Sequence, residues 1–298
     1  MEILSVENLT KKYGKKVALQ NVSIKVSKGE IVGLVGPNGA GKTTFIKCIT
    51  GLLRPEEGSI KVFGYNLFQN YGKVIKNIGL LLEPAFYDYL TALENLRILM
   101  IASNNYSLKK IQEVMEFVGL WEVRNKYVTT FSFGMKQRLG LAQALMSDPQ
   151  FLILDEPTTG LDPIGIKKLK EKLVYLTKKR GITILFSSHQ LPDVEEICDR
   201  VILIREGVVL YNGTLKEVTK SKEYHIILSN KKSYKNTFEY EIMNNNYLDL
   251  RGNVLIVKKQ EILNNVLKEL YEQGIDILDI DVKKSGLLEL FYNSGRER

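Results

Sequence analysis

The apolar run Ile31 to Val35 leads directly into Gly36, Pro37, Asn38, Gly39, Ala40, Gly41, Lys42, Thr43 and Thr44, and then into the helix-compatible stretch FIKCITGLL. A strand buried on both faces, a glycine-rich turn and a helix, in that order, build one corner of a parallel α/β sheet. The spacing fits G-x-x-x-x-G-K-[ST], in which the backbone N–H groups of the turn curl around phosphate oxygens. At its end Lys42 supplies a point charge for the phosphates, and Thr43 offers a hydroxyl to Mg²⁺. A glycine-rich turn with a chance lysine would look similar in isolation. The strand before it and the helix after it argue against that reading.

Around this corner, strand-length apolar runs alternate with helical patterns from Glu2 to about residue 215. Phe151 to Leu154, Ile182 to Phe186 and Val201 to Ile204 are short and rich in branched residues, as strands buried on both faces are. Val17 to Val26 is more mixed and reads as an antiparallel flank. From about residue 86 to 134 helical patterns take over. There Thr91 and Glu94 form a capping-box pair, and Ile111, Val114, Met115 and Val118 recur at helical spacing. Beyond Gly213 the pattern predicts strands at Tyr224 to Leu228, Val254 to Val257 and Ile275 to Val282. An amphipathic helix is predicted near Ile262, Leu263, Val266, Leu267 and Leu270. The expected division is a domain over 1–215, with a helical subdomain at about 86–134, and a small α+β domain over 216–298.

Four more segments carry candidate chemistry. FLILDEPTTGLD ends a buried strand in Asp155 and Glu156, placed to hold a Mg²⁺ shell and to orient or deprotonate a water. Capping of the following turn is the plainer explanation of such a pair, and the upstream phosphate loop weakens it. His189 follows the strand ITILFSS, which puts it at the carboxyl end of the sheet, where nucleotides bind. A single histidine is more often structural, so position alone favours function here. In FSFGMKQRLGLAQAL, Ser132 and Gly134 at a helix start offer a hydroxyl and dipole-aligned amides to an anion, or simply cap the helix. Tyr13, beside a glycine turn, fits either a core position or a stacking platform.

Composition narrows the class. With 44% hydrophobic and 26% charged residues, the 298-residue chain has the makings of a packed core. Cys48 and Cys198 lack partners at metal-ligand spacing, so they read as buried small hydrophobes in a reducing cytosol. No apolar run reaches the roughly 18 residues of a membrane helix, and the N-terminus has no apolar h-region. The expectation is therefore a chain neither secreted nor membrane-spanning. The net charge of +8 selects no partner by itself, because the lysines are scattered as on solvated helix faces.

Taken in order, these motifs resemble the ABC ATPase family across residues 1–215. The resemblance implies a P-loop NTPase (RecA-like) core with an antiparallel β flank and a helical insertion. It implies that Gly36 to Thr44 is the Walker A loop, that Phe151 to Glu156 is Walker B with Glu156 as catalytic base, and that Thr159 to Asp162 is the D-loop contacting nucleotide through Asp162. Tyr13 then stacks on adenine, and His189 is the switch histidine at the γ-phosphate. The FSFGM segment is similar to the family's signature, usually LSGGQ, which binds the γ-phosphate held by the opposite subunit through Ser132 and Gly134.

Two departures stand out: Phe133 and Met135 replace the usual Gly and Gln, and Glu83 stands where most members have Gln, adding a carboxylate to the metal shell of Thr43 and Asp155. Together they look like the branch handling bacitracin and lantibiotic peptides. The implied protein is an ATP- and Mg²⁺-dependent ATPase at the cytoplasmic face of the membrane. It pairs as a homodimer on ATP binding and drives a permease on a separate chain. The rival is a soluble nucleic-acid-associated ABC ATPase, disfavoured by the single cassette and the scattered lysines.

Overall fold

The computed structural model describes residues 1–102, 107–218, 222–229, 247–284 and 287. The chain divides into two compact units, Met1–Gly213 and Thr214–Arg298.

The first unit opens with β1 (Glu2–Tyr13), β2 (Lys16–Ser27) and β3 (Ile31–Val35), followed by α1 (Lys42–Ile49), β4 (Glu57–Val62) and β5 (Tyr65–Asn66). Then come α2 (Tyr71–Ile75), β6 (Ile78–Leu81), α3 (Ala92–Ala102), α4 (Leu108–Val118) and α5 (Phe133–Leu145). The unit closes with β7 (Phe151–Leu154), α6 (Pro163–Arg180), β8 (Thr183–Ser188), α7 (Leu191–Ile197), β9 (Arg200–Arg205) and β10 (Val208–Thr214).

Two sheets share the work. The antiparallel flank runs β2-β1-β4-β5, and the core sheet runs β10-β9-β3-β8-β7-β6. Within the core sheet β3 pairs parallel with β8 and β9, and β7 pairs parallel with β8 and β6. Every residue of β3, β7 and β8 is buried, which explains why these strands read as continuous apolar runs instead of alternating ones. One hydrophobic cluster joins both sheets through α1: Leu9, Leu19 and Ile24 from the flank pack with Phe45, Ile46, Phe151 and Leu185.

The helical region follows from local rules. Thr91 and Glu94 form a reciprocal box, with Glu94 N donating to Thr91 Oγ1 and Thr91 N to Glu94 Oε2. Ser107 caps α4 by accepting from Lys110 N, and Ile111, Val114, Met115 and Val118 form its buried face. A helix runs on past residue 134, because α5 starts at Phe133 and continues to Leu145.

The second unit holds α8 (Leu215–Val218), β11 (Lys222–Leu228), β12 (Leu248–Arg251), β13 (Val254–Val257), α9 (Gln260–Glu272) and β14 (Ile277–Lys284). Its sheet is antiparallel in the order β12-β13-β11-β14, and Val266 and Leu270 of α9 pack on Tyr224, Ile226, Leu255 and Val257. Two strands begin one or two residues later than the apolar pattern predicts, for one shared reason. Ile182 N donates to Leu176 O and Ile275 N to Leu270 O, so each isoleucine completes the C-terminal turn of the preceding helix before the strand begins.

Candidate functional site

Gly36, Asp155 and His189 each follow the carboxyl end of a strand, and these three strands, β3, β7 and β8, are neighbours in the parallel sheet. That placement gathers residues far apart in sequence at the carboxyl end of the core sheet. The loop after β3 is shaped by close approach. A Cβ on Gly36 would lie 2.1 Å from Ile204 O, and one on Gly41, whose φ is +109°, would lie 2.8 Å from Ala18 O. Gly41 is the N-cap of α1, so the helix amides open towards the cleft. Tyr13, Asn38, Gly39, Lys42, Thr43 and Glu156 line this cleft of about 560 Å³, and Gly207, whose N–H donates to Ala40 O at 2.9 Å, borders the loop. Tyr13 is half exposed at its rim, as a stacking surface must be and a core residue is not.

Lys42 is buried and donates to Gly36 O at 2.7 Å and Pro37 O at 3.3 Å. Its Nζ lies 3.2 Å from Glu156 Oε1, an oxygen that is buried with no hydrogen-bond partner, so the two interact through charge. Glu156 Oε2 is 2.7 Å from His189 Nδ1. The glutamate backbone is unusual, with φ +48°, a left-handed conformation that costs energy for a residue with a side chain. Two neighbours hold it: Glu156 N donates to Ser187 Oγ at 2.8 Å, and Gln137 Nε2 donates to Glu156 O at 3.3 Å. Ser187 Oγ in turn donates to Asp155 Oδ1 at 2.5 Å, while Thr43 Oγ1 donates to Asp155 Oδ2 at 2.7 Å.

Ser187 and Gln137 are the residues that sequence reasoning missed. Two hydroxyls closing the apolar strand TILFSS were a legible signal for Ser187. Gln137 carried none, since nothing in its helical spacing shows that it is buried against a carbonyl of another element.

The hydroxyl of Thr43 and the carboxylate of Asp155 form a pair of hard oxygen donors beside the phosphate loop. That fits Mg²⁺, which takes one or two protein carboxylates and completes its shell with water and substrate phosphates. Glu83 lies two residues past the end of β6, the strand beside β7, and is exposed. Among the described residues no three His, Cys, Asp or Glu side chains converge as a cation site.

Ser132, Gly134 and Asp162 lie elsewhere. They line a second cleft of about 860 Å³, which shares no lining residue with the first. Ser132 caps α5, accepting from Met135 N at 3.3 Å, and Asp162 caps α6, accepting from Gly165 N at 2.8 Å. Phe133 is 55% exposed, and its ring lies flush on Gly160, where a Cβ would come within 2.1 Å of Cδ1.

Residues 19–159 match the family described as ABC transporter. The chain is 39% identical over 299 residues to the bacitracin transport ATP-binding protein BcrA of Bacillus licheniformis, covering 97% of this chain and 96% of that protein. It belongs to the ABC transporter ATP-binding proteins. The lantibiotic transport ATP-binding protein SrtF of Streptococcus pyogenes is 40% identical over 71% of this chain and 93% of its own length. Among solved structures, an ATP-binding subunit of an ABC transporter superposes with a TM-score of 0.66 at 33% identity, covering 73% of this chain and 92% of that one. A dimeric cassette in a post-hydrolysis state with ADP and Pi reaches the same score at 27% identity, over 71% of this chain and 98% of that one. This ABC cassette binds and hydrolyses ATP, and the nucleic-acid alternative is not favoured. Among the described residues no helix is long and apolar enough to cross a membrane.

Proposed function

We propose that Glu156 is the base that activates the attacking water, and that Lys42 and the amides of Gly39 to Thr44 hold the nucleotide phosphates. The observation that carries this reading is the Glu156 carboxylate, set between Lys42 Nζ at 3.2 Å and His189 Nδ1 at 2.7 Å at the mouth of the phosphate loop. His189 orients Glu156 and reaches towards the terminal phosphate. Tyr13 takes the adenine. Thr43 and Asp155 hold Mg²⁺, which neutralises charge on the phosphates when bound.

Ser132, Gly134 and Asp162 act on the nucleotide of a second copy. Their cleft is separate from the phosphate-loop cleft, and the structural relative with ADP and Pi is a dimer. The pair works at the cytoplasmic face of the membrane against a permease on another chain. The exposed Tyr87 and Tyr89, in the loop that follows Glu83, and Ile98 and Ile101 of α3 supply apolar docking area. Glu83 tunes the coupling between that contact and the metal. The cargo is a peptide antibiotic or another amphipathic compound, moved outwards. The names of the bacitracin and lantibiotic relatives support this, as does the linearmycin resistance protein LnrL of Bacillus subtilis, 34% identical over 98% of this chain.

Glu156→Gln tests the catalytic centre. The amide keeps the shape and cannot accept a proton, so ATP hydrolysis should fall by about 10²–10⁴ while ATP binding persists. Hydrolysis at the wild-type rate would remove Glu156 as the base.

A further inference from the structure

Lys170 is a charged residue in the middle of α6, with a side chain only 9% exposed, and nothing in the chemistry above uses it. Its Nζ lies 2.8 Å from Asp193 Oδ1 and 2.6 Å from Glu196 Oε2. Asp193 is as deeply buried, at 7%, and its second oxygen has no hydrogen-bond partner, whereas Glu196 is mostly exposed. Burial by itself pulls the Lys170 pKa down, but its bonds to the two carboxylates outweigh that and raise it, so the amine stays charged.

Burying a lysine and an aspartate is expensive, and an apolar pair of similar size often serves stability as well or better. The ion pair therefore needs a reason other than stability, and its position in the fold offers one. Lys170 stands about two turns into the helix capped by Asp162. Asp193 and Glu196 belong to α7, which begins one residue after His189–Gln190. On its sheet side α7 rests against β3, where Gly33 leaves room: a Cβ there would meet Val194 Cγ1 at 2.4 Å and Cys198 Sγ at 3.0 Å. Apolar contact of that kind resists lifting more than sliding, since it is non-directional. Two charge-assisted bonds from one ammonium fix position along the helix as well.

We infer that Lys170 is a positioning residue that clamps α7 to α6, setting His189 on Glu156 and tying it mechanically to the Asp162 end of α6. The turn holding His189 is short and stapled at its near end, with Gln190 N donating to Ser188 Oγ at 2.9 Å. A shift of α7 is therefore passed on to the imidazole. The 2.7 Å contact between His189 and Glu156 is the distance at stake.

The inference rests on the catalytic reading of Glu156 and His189, so the experiment tests the two separately. In the purified full chain, Lys170→Met combined with Asp193→Leu removes the buried charges together and leaves neither unpaired. This variant should keep the wild-type melting temperature and KM for ATP within about twofold, while kcat falls about 10- to 100-fold, the cost of slight misplacement of a catalytic group. Lys170→Arg, which can still bridge both carboxylates, should keep most of the rate. If the Met/Leu pair does not fold, Lys170→Met with Asp193→Asn carries the same test in a more polar setting. Wild-type kcat in the folded paired variant, beside an inactive Glu156→Gln, overturns the clamp alone. Loss of kcat in Lys170→Arg equal to that of the apolar pair overturns it too, because the role would then be general packing. Wild-type kcat in Glu156→Gln would overturn the catalytic reading, and the clamp with it.

Discussion

At the scale of single residues, the same burial that makes Lys170 unusual makes the two cysteines inert. Cys48 is buried in the cluster that joins the flank to the core sheet, and its thiol is pushed up to about 11, mainly by desolvation, with Lys11 opposing and Glu56 adding. The Cys198 thiol is likewise raised well above the ordinary value, first by its burial. A thiolate is the reactive form, so both should resist alkylation in the native protein at about pH 8 and react once it is denatured. The folded thiol of Cys48 stays protonated while the unfolded one ionises near the ordinary value of 9.0. Its contribution to stability is therefore intact below pH 9 and lost as the pH climbs from there towards 11. A native chain that alkylates as fast as a denatured one would contradict this burial.

At the scale of elements, the junction between β3 and α1 shows how a loop is specified by what lies next to it. Gly41 must adopt φ +109° and must also let its α-carbon pass the carbonyl of Ala18 in β2. Gly41→Ala meets both obstacles at once, and the cost of the strained backbone alone is about 1–3 kcal/mol. The loop and the α1 N-terminus should shift, so ATP affinity should fall at least tenfold in equilibrium binding while far-UV circular dichroism stays unchanged. Gly39 has φ +80° and nothing within 4 Å of its Cβ position, so alanine there meets only the backbone penalty and should weaken binding less. Equal losses at the two positions would show that the close approach to Ala18 contributes nothing.

At the scale of the whole molecule, the first unit carries two separate clefts. Ser132 and Gly134 stand at the start of α5 in one cleft, and Lys42 and Glu156 lie in the other. If they meet across two copies, Glu156→Gln with ATP should run as a dimer in size-exclusion chromatography, and with ADP as a monomer. Adding Ser132→Arg should abolish that dimer, because a bulky side chain would occupy the shared phosphate position. A dimer that survives Ser132→Arg would place the signature residues away from the partner's nucleotide. Phe133 bears on the same face: 55% exposed and anchored on Gly160, it gives this cleft an apolar wall where the family usually has glycine.

What the sequence determined by itself was everything carried by neighbours along the chain. The phosphate loop, the Asp155–Glu156 pair, the Thr91–Glu94 box and the buried stripe of α4 all depend on residues within a few positions of one another, whose geometry follows from backbone period and local hydrogen bonding. The four-residue β6 and β12 and the half-buried β10 were not legible, because a strand so short, or one without a buried face, is stabilised by its partners more than by its own pattern. Only the tertiary structure decided that Ser187 braces both Asp155 and Glu156, that Gln137 reaches the Glu156 carbonyl, and that Lys170 bridges two helices. Each of those contacts spans 19 to 32 positions in the chain. Such contacts form only where the fold brings strand ends and the helices beside them together, and no local rule encodes which polar side chain will be buried there.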